Sequence, residues 1–244
     1  MKINKLMQLL KDNAANKAEN ISSIRMESTE SDMHLYVYDV IDSYWGANAA
    51  DLVKSLASAG DKTIHLHINS PGGDVFEARA MAAALVAHKG QVISHIDGMT
   101  ASAATYLALA ANEVRMTDGG LFMVHNSWTM AMGDRTELRQ TADLLEKIDG
   151  TIASDYANKT GATAEQVAAW MDAETWFTAQ EAMNAGFIDA IDPNSKGEKA
   201  QAKWNLSAYA NAPEQKEEIE APDLMALSAQ QIQMNKNRLR LFQI

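Results

Sequence analysis

Two early stretches alternate apolar and polar positions, and the segment between them is helical in spacing. His34-Leu35-Tyr36-Val37-Tyr38-Asp39-Val40 and Thr63-Ile64-His65-Leu66-His67-Ile68-Asn69 read as strands, and Leu52, Val53 and Leu56 place a helix over 49–59. After the punctuation Ser70-Pro71-Gly72-Gly73-Asp74, the pattern predicts a helix over 75–88 and a strand over 91–96. A small-residue helix over 101–112 follows, then strands over 113–116 and 121–125 separated by the turn signal Asp118-Gly119-Gly120. Strand–helix alternation of this kind implies a parallel sheet with crossover helices, an α/β fold. Leu138, Ala142, Leu145, Ile152 and Tyr156 keep one stripe on a helix over 135–158, long enough to project or to pack on another subunit. Gly161 ends it. A helix over 163–171 has Thr163 at its cap, and Thr178-Ala179-Gln180-Glu181 forms a capping box ahead of 182–185. Gly186 then stops the chain before a last strand over 187–191.

The ends differ from this middle. Ile3, Leu6, Met7 and Leu10 mark a short amphipathic helix, followed by polar, loose sequence from 13 to 32. Residues 193–222 are polar and charged with few aliphatics and read as a linker, and 224–244 regain some helical tendency without a clear stripe. The division expected is an arm at 1–32, a folded domain at 33–192, and a polar linker with a C-terminal extension at 193–244.

Composition narrows the chemistry. With 244 residues and 47% hydrophobic content the chain has material for a sizeable core. It has no cysteine, so thiol catalysis and disulfides are excluded. A net charge of −11 with no concentrated basic patch argues against nucleic acid as a partner. The N-terminus does not read as a secretory signal and no apolar run approaches the ~20 residues of a membrane span, so a cytoplasmic location and no membrane partner are expected. His65 and His67 share one strand face, but no third ligand is evidently placed to join them, so ordinary strand positions are expected rather than a metal site.

Ser102 falls where a strand gives way to a helix, close to unpaired N–H groups that can hold a developing oxyanion. A plain helix cap at Thr100 or Ser102 explains the same residues. His125 closes a strand, and Asp172 and Glu174 follow, in the order Ser…His…acid. A histidine that takes the serine proton, oriented by a carboxylate, makes that serine a nucleophile. Gly72, Gly73 and the N–H of Ala103 offer main-chain donors unobstructed by side chains. Taken singly, His125 is more often a structural residue, Pro71-Gly72-Gly73 more often a plain turn, and the acids more often solvated surface charges.

Four segments, in order, carry a resemblance: Ile68-Asn69-Ser70-Pro71-Gly72-Gly73, Asp97-Gly98-Met99-Thr100-Ala101-Ser102-Ala103-Ala104, Met123-Val124-His125-Asn126, and Thr178 through Asp189. Across roughly 34–191 they resemble the Clp protease proteolytic subunit family (peptidase S14). Asn69 through Phe76, His125-Asn126-Ser127-Trp128 and Asp172 through Ala179 are most similar to the Clp-like head maturation proteases of tailed phages and prophages. The resemblance implies a ClpP/crotonase-like spiral of βαβ units with a protruding handle made of a long helix and a strand. It implies a serine endopeptidase with Ser102 as nucleophile, His125 as general base, and Gly72 and Ala103 as oxyanion-hole donors. Glu174 stands where the family has its aspartate, one methylene longer, with Asp172 two positions upstream as the substitute. It further implies no metal or organic cofactor, self-association into rings, single or stacked, and a peptide substrate lying along the handle strand, with capsid or scaffold protein as target in the host-cell cytoplasm. Three rival readings share the pattern: an ATPase-partnered Clp peptidase degrading unfolded proteins, a catalytically inactive assembly ring, and acyl-CoA chemistry on the same fold class.

Overall fold

The computed structural model describes residues 24–193, 204 and 206–213. Two units are distinguished, Met1–Ala212 and Pro213–Ile244, and the elements below all belong to the first. The amphipathic segment at 1–12 and the tail at 224–244 lie outside the described residues.

The strands are β1 (Ile24–Ser28), β2 (Asp32–Val37), β3 (Thr63–Ser70), β4 (Val92–Ala101), β5 (Glu113–Thr117), β6 (Leu121–Val124), β7 (Thr175–Thr178) and β8 (Ala190–Asp192). The helices are α1 (Ala49–Ala59), α2 (Val75–Val86), α3 (Ala104–Leu109), α4 (Arg135–Thr160), α5 (Ala164–Asp172) and α6 (Ala179–Asn184). All strands join one sheet in the order β1-β2-β3-β4-β5-β8, with β6 pairing β4 and carrying β7 at its other edge. β2 to β5, with β8, run parallel, while β1/β2 and β6/β7 are antiparallel. The successive units β2–α1–β3, β3–α2–β4 and β4–α3–β5 are the expected βαβ repeats.

β4 is the strand around which the sheet divides. Its first half pairs β5 (Ile93↔Glu113 to Ile96↔Met116), and its second half pairs β6 (Met99↔Leu121 to Ala101↔Met123). The fork falls at Gly98, where a Cβ would stand 2.9 Å from the Asn69 side-chain oxygen. That same Asn69 Oδ1 accepts the Met99 N–H at 3.1 Å, holding the strand past the irregular register between Ile68 and Ser70.

One sheet face is apolar and sealed. Leu35, Val37, Ile64, Leu66, Ile68 and Ile96 are fully buried against the helices, each apolar side chain removed from water favouring the fold by roughly 1.5–3 kcal/mol. The opposite face carries His34, His65, His67 and His95 in register across β2, β3 and β4. Their rings stack, His34 on His65 at 4.7 Å and His67 on His95 at 4.8 Å between centroids. Ring nitrogens pair too, His34 with His67 at 3.1 Å and His65 with His95 at 2.9 Å, and His67 meets Asp97 at 2.8 Å. Among the described residues no group of three or more His, Asp or Glu side chains has an arrangement able to hold a metal ion.

α4 is the projecting helix. Asp134 and Glu137 close a capping box at its start, and Gly161, left-handed at φ 71°, ends it. Of its 26 residues only Ile152 and Tyr156, near the C-terminal end, are buried. The strand half of the handle is not formed: 126–134 are irregular, for a strand exists only through a partner's hydrogen bonds, and the single chain supplies none there.

Three expectations need correction. Residues 24–28, read as loose, form β1, because Ile24 is buried while the strand pairs β2 through residues 33–37. β7, which the sequence pattern did not mark, is a short strand held by β6. Part of the polar linker, Trp204 and 206–212, folds back on the domain beside the serine turn. Among the described residues, no helix is long and apolar enough to cross a membrane.

Candidate active site

Ser102 follows the last residue of β4 and precedes α3. Its backbone is left-handed, φ 54°, one of two non-glycine residues so placed among those described. Such a conformation costs on the order of 1–3 kcal/mol and persists only where neighbours hold it. They do so here. The Ser102 N–H donates to Met123 O at 3.0 Å, and its carbonyl accepts both the N–H (3.0 Å) and the hydroxyl (2.7 Å) of Thr105. The Thr105 hydroxyl in turn is 2.7 Å from the Tyr156 hydroxyl, fully buried on α4. The projecting helix is thereby tied to the serine's carbonyl.

His125 arrives from β6. Because Ala101 pairs with Met123, the residues just beyond each strand lie side by side. Ser102 Oγ and His125 Nε2 are 2.6 Å apart, within hydrogen-bond reach. Burial holds the imidazole below its ordinary pKa of 6.5, against the pull of nearby Glu174 and Asp149. It is therefore neutral, and able to accept a proton, at neutral pH.

Gly72 and Gly73 turn the chain at the end of β3. At Gly72 (φ 91°) a Cβ would lie 2.5 Å from Ala101 O, 2.8 Å from Ser102 Cβ and 2.9 Å from Ala103 N. Only glycine permits this approach. The Gly72 N–H, expected to face substrate, instead donates to Ser70 Oγ at 3.2 Å. Its carbonyl accepts Ile41 N–H and the Asp74 N–H reaches Ile41 O, which leaves the Gly73 N–H between them. Among the described residues neither Gly73 N–H nor Ala103 N–H has an acceptor. Gly73 shares with Ser102 and His125 a cleft of about 390 Å³ that runs between Val40–Asp42 on one side and Ser127–Met130 on the other.

The acids are distributed. Glu174, left-handed at φ 47°, lies close enough for its charge to act on His125 more strongly than that of Asp149, yet its carboxylate accepts the N–H groups of Ala210 (3.0 Å) and Asn211 (2.7 Å). Asp172 accepts the Asn126 side-chain amide at 2.7 Å, and Asp149 accepts the Ser127 N–H at 2.6 Å. Among the described residues no carboxylate is hydrogen-bonded to His125. The structure thus brings Ser102, His125, Gly72 and Ala103 together, sets Glu174 nearby but turned to other donors, and puts Asp172 on the neighbouring asparagine.

Sequence reasoning passes over Asp149 and Tyr209. Gly73 is named there with Gly72 as a main-chain donor, and the structure separates the two, because the Gly72 N–H is taken by Ser70 Oγ. Asp149 sits one residue after Ile148 on a helix whose stripe drew attention to packing alone. Tyr209, in a stretch otherwise reading as linker, carried one signal: with Trp204 it is a large aromatic where solvated sequence has little use for one.

Comparison with known proteins bears on the family and the fold. A family model described as Clp protease matches residues 18–195. The ATP-dependent Clp protease proteolytic subunit 1 of Leifsonia xyli is 30% identical over 145 residues, 59% of this chain and 74% of the relative. The ATP-dependent Clp protease proteolytic subunit of Streptococcus pneumoniae is 29% identical over 160 residues, 64% of this chain and 82% of the relative. A solved structure, a point mutant of ClpP1 from Listeria monocytogenes, superposes with a TM-score of 0.59 at 24% identity, covering 66% of this chain and 91% of the other, and supports the fold.

Proposed function

The chain belongs to the Clp protease family, and we propose that it is a serine endopeptidase in which Ser102 is the nucleophile and His125 the general base. The observation that carries this reading is the 2.6 Å contact between Ser102 Oγ and Nε2 of the partly buried His125. In the proposed reaction His125 takes the Ser102 proton as Oγ attacks a peptide carbonyl. The tetrahedral oxyanion is received by the main-chain N–H groups of Gly73 and Ala103, the pair without other acceptors among the described residues. His125 then gives its proton to the leaving amine. In the second half it activates water against the acyl-serine, restoring Ser102. Glu174 is the acid assigned to steady the imidazolium, because its charge acts on His125 more strongly than that of Asp149, whereas Asp172 does not act on it. A polypeptide entering the cleft in extended form meets the main chain of 127–130, where added hydrogen bonds would hold it.

The proposed substrate is capsid or scaffold protein, a reading supported by the likeness of segments 69–76, 125–128 and 172–179 to head maturation proteases. The relatives' own names, as ATP-dependent proteolytic subunits, favour a second reading, hydrolysis of unfolded protein delivered by an ATPase. Incubating the purified chain with a capsid precursor, and separately with a permanently unfolded protein, tests both. Mass spectrometry should find new termini with wild-type protein and none with Ser102→Ala of unchanged circular dichroism. Equal cleavage by Ser102→Ala rejects the peptidase assignment.

A further inference from the structure

Part of the wall of the cleft beside Ser102 comes from the polar stretch that ends the same compact unit. Trp204, 8% exposed, packs among Val40, Met99, Ala101 and Met123, and its indole N–H donates to Asn69 Oδ1 at 3.3 Å. Asn69 is the side chain that also holds the fork of β4, so this anchor sits directly behind the serine turn. Five residues on, the Tyr209 hydroxyl donates to Pro71 O, next to Gly72. Its ring stands edge-on to His125 at 5.5 Å and to Trp176 at 5.7 Å between centroids. Tyr209 lines the same cleft as Ser102, His125 and Gly73. Immediately after it come the N–H groups of Ala210 and Asn211 on the Glu174 carboxylate, and the Asn211 side-chain amide donates to Ala173 O at 2.8 Å.

We propose that the stretch of Trp204 and residues 206–211 is an intramolecular inhibitor of the proposed peptidase centre. It acts in two ways. Tyr209 narrows the space a substrate side chain must enter, and the Ala210 and Asn211 N–H groups engage the Glu174 carboxylate, which then makes no hydrogen bond to His125. The proposal rests on Ser102 and His125 being the nucleophile and its base. The bound stretch is an inhibitor and not a substrate, because what it presents beside Ser102 is a phenol, which offers the serine no electrophilic carbon. A tethered occupant competes at an effective concentration of about millimolar, so a modest intrinsic affinity suffices to exclude free peptides. Displacement would do two things together: open the cleft and free the Glu174 carboxylate to hydrogen-bond the imidazole, which raises the pKa of His125 further.

The test measures the rate at which a fluorophosphonate probe modifies the full chain, read by intact mass. Tyr209→Ala should be labelled at least tenfold faster than wild type. A synthetic peptide of residues 204–212 should slow it again, and the same peptide with alanine for the tyrosine should not. Ala210→Pro removes one N–H from Glu174 at an exposed tail position, so it tests the second action should Tyr209→Ala not fold; its labelling should also rise, with the acid limb of its pH profile moved to higher pH. Equal rates for wild type and both variants, with the adduct on Ser102, would overturn the inhibitor while leaving the nucleophile intact. Absence of any adduct in all three proteins would overturn the nucleophile, and the inhibitor with it.

Discussion

At Ser102 the chain accepts a left-handed backbone that its side chain alone does not favour, and the surrounding bonds from Met123, Thr105 and, through Thr105, Tyr156 hold it there. Gly72 presses on the same turn. Gly72→Ala places a methyl within 3 Å of Ser102 Cβ and Ala103 N and adds left-handed strain of about 1–3 kcal/mol. Urea denaturation should show a loss of at least that size, and peptidase activity should fall below detection. The imidazole sets the pH dependence. Burial lowers the His125 pKa, so activity should persist below pH 6.5 and decline only as acid protonates the base. The Glu174 charge opposes that lowering; hence Glu174→Gln in a Tyr209→Ala background should move the acid limb to still lower pH, while kcat falls about 10²-fold or more. A limb that shifts upward would exclude Glu174 as the acid. Ser102 and His125 were legible in the sequence because each stands at a strand end inside a recognisable segment. Which glycine N–H is unengaged was not legible, since that depends on where the Ser70 hydroxyl and Ile41 come to rest.

Individual elements were legible where one face is apolar and each end is marked. α1 matches its predicted span of 49–59, and α5 starts from Thr163 as its cap residue foretells. β1 and β7 were missed because their existence depends on a partner strand rather than on their own alternation. α3 is shorter than predicted, beginning at Ala104, because Ser102 is given over to the strained turn. Tyr156→Phe removes the hydroxyl that reaches Thr105 and should cost about 1 kcal/mol in urea, with slower probe labelling because the serine carbonyl loses its support from α4. On the histidine face of the sheet, burial and the neighbouring His67 and His65 push His95 down to about 4, against Asp97 and Asp192. A group lowered in the folded state stabilises the fold above its unfolded pKa of 6.5 and ceases to do so as pH falls toward 4. Acidification through that window should therefore remove up to about 3 kcal/mol, and His95→Gln should flatten the slope. An unchanged slope in that variant would remove His95 as its source.

For the molecule as a whole, the apolar residues left on the outside point to assembly. On and before α4, Trp128, Met132, Leu138 and Leu144 are each 45% or more exposed, an arrangement that suits a partner subunit better than water. Native mass spectrometry should find a multiple of the 26.6 kDa chain, and Leu144→Glu should shift that population toward monomer. The stretch read as linker shows the limit of composition at this scale: its polarity forecast solvation, yet two aromatic residues and two main-chain N–H groups suffice to seat it beside the serine. Whether Ser102 and His125 form one nucleophilic unit is read by site-mapped fluorophosphonate labelling of the Tyr209→Ala chain, with and without His125→Ala. The predicted result is a single adduct on Ser102, formed at least 10²-fold more slowly once the imidazole is gone; an adduct on another residue, or an undiminished rate without His125, would contradict it.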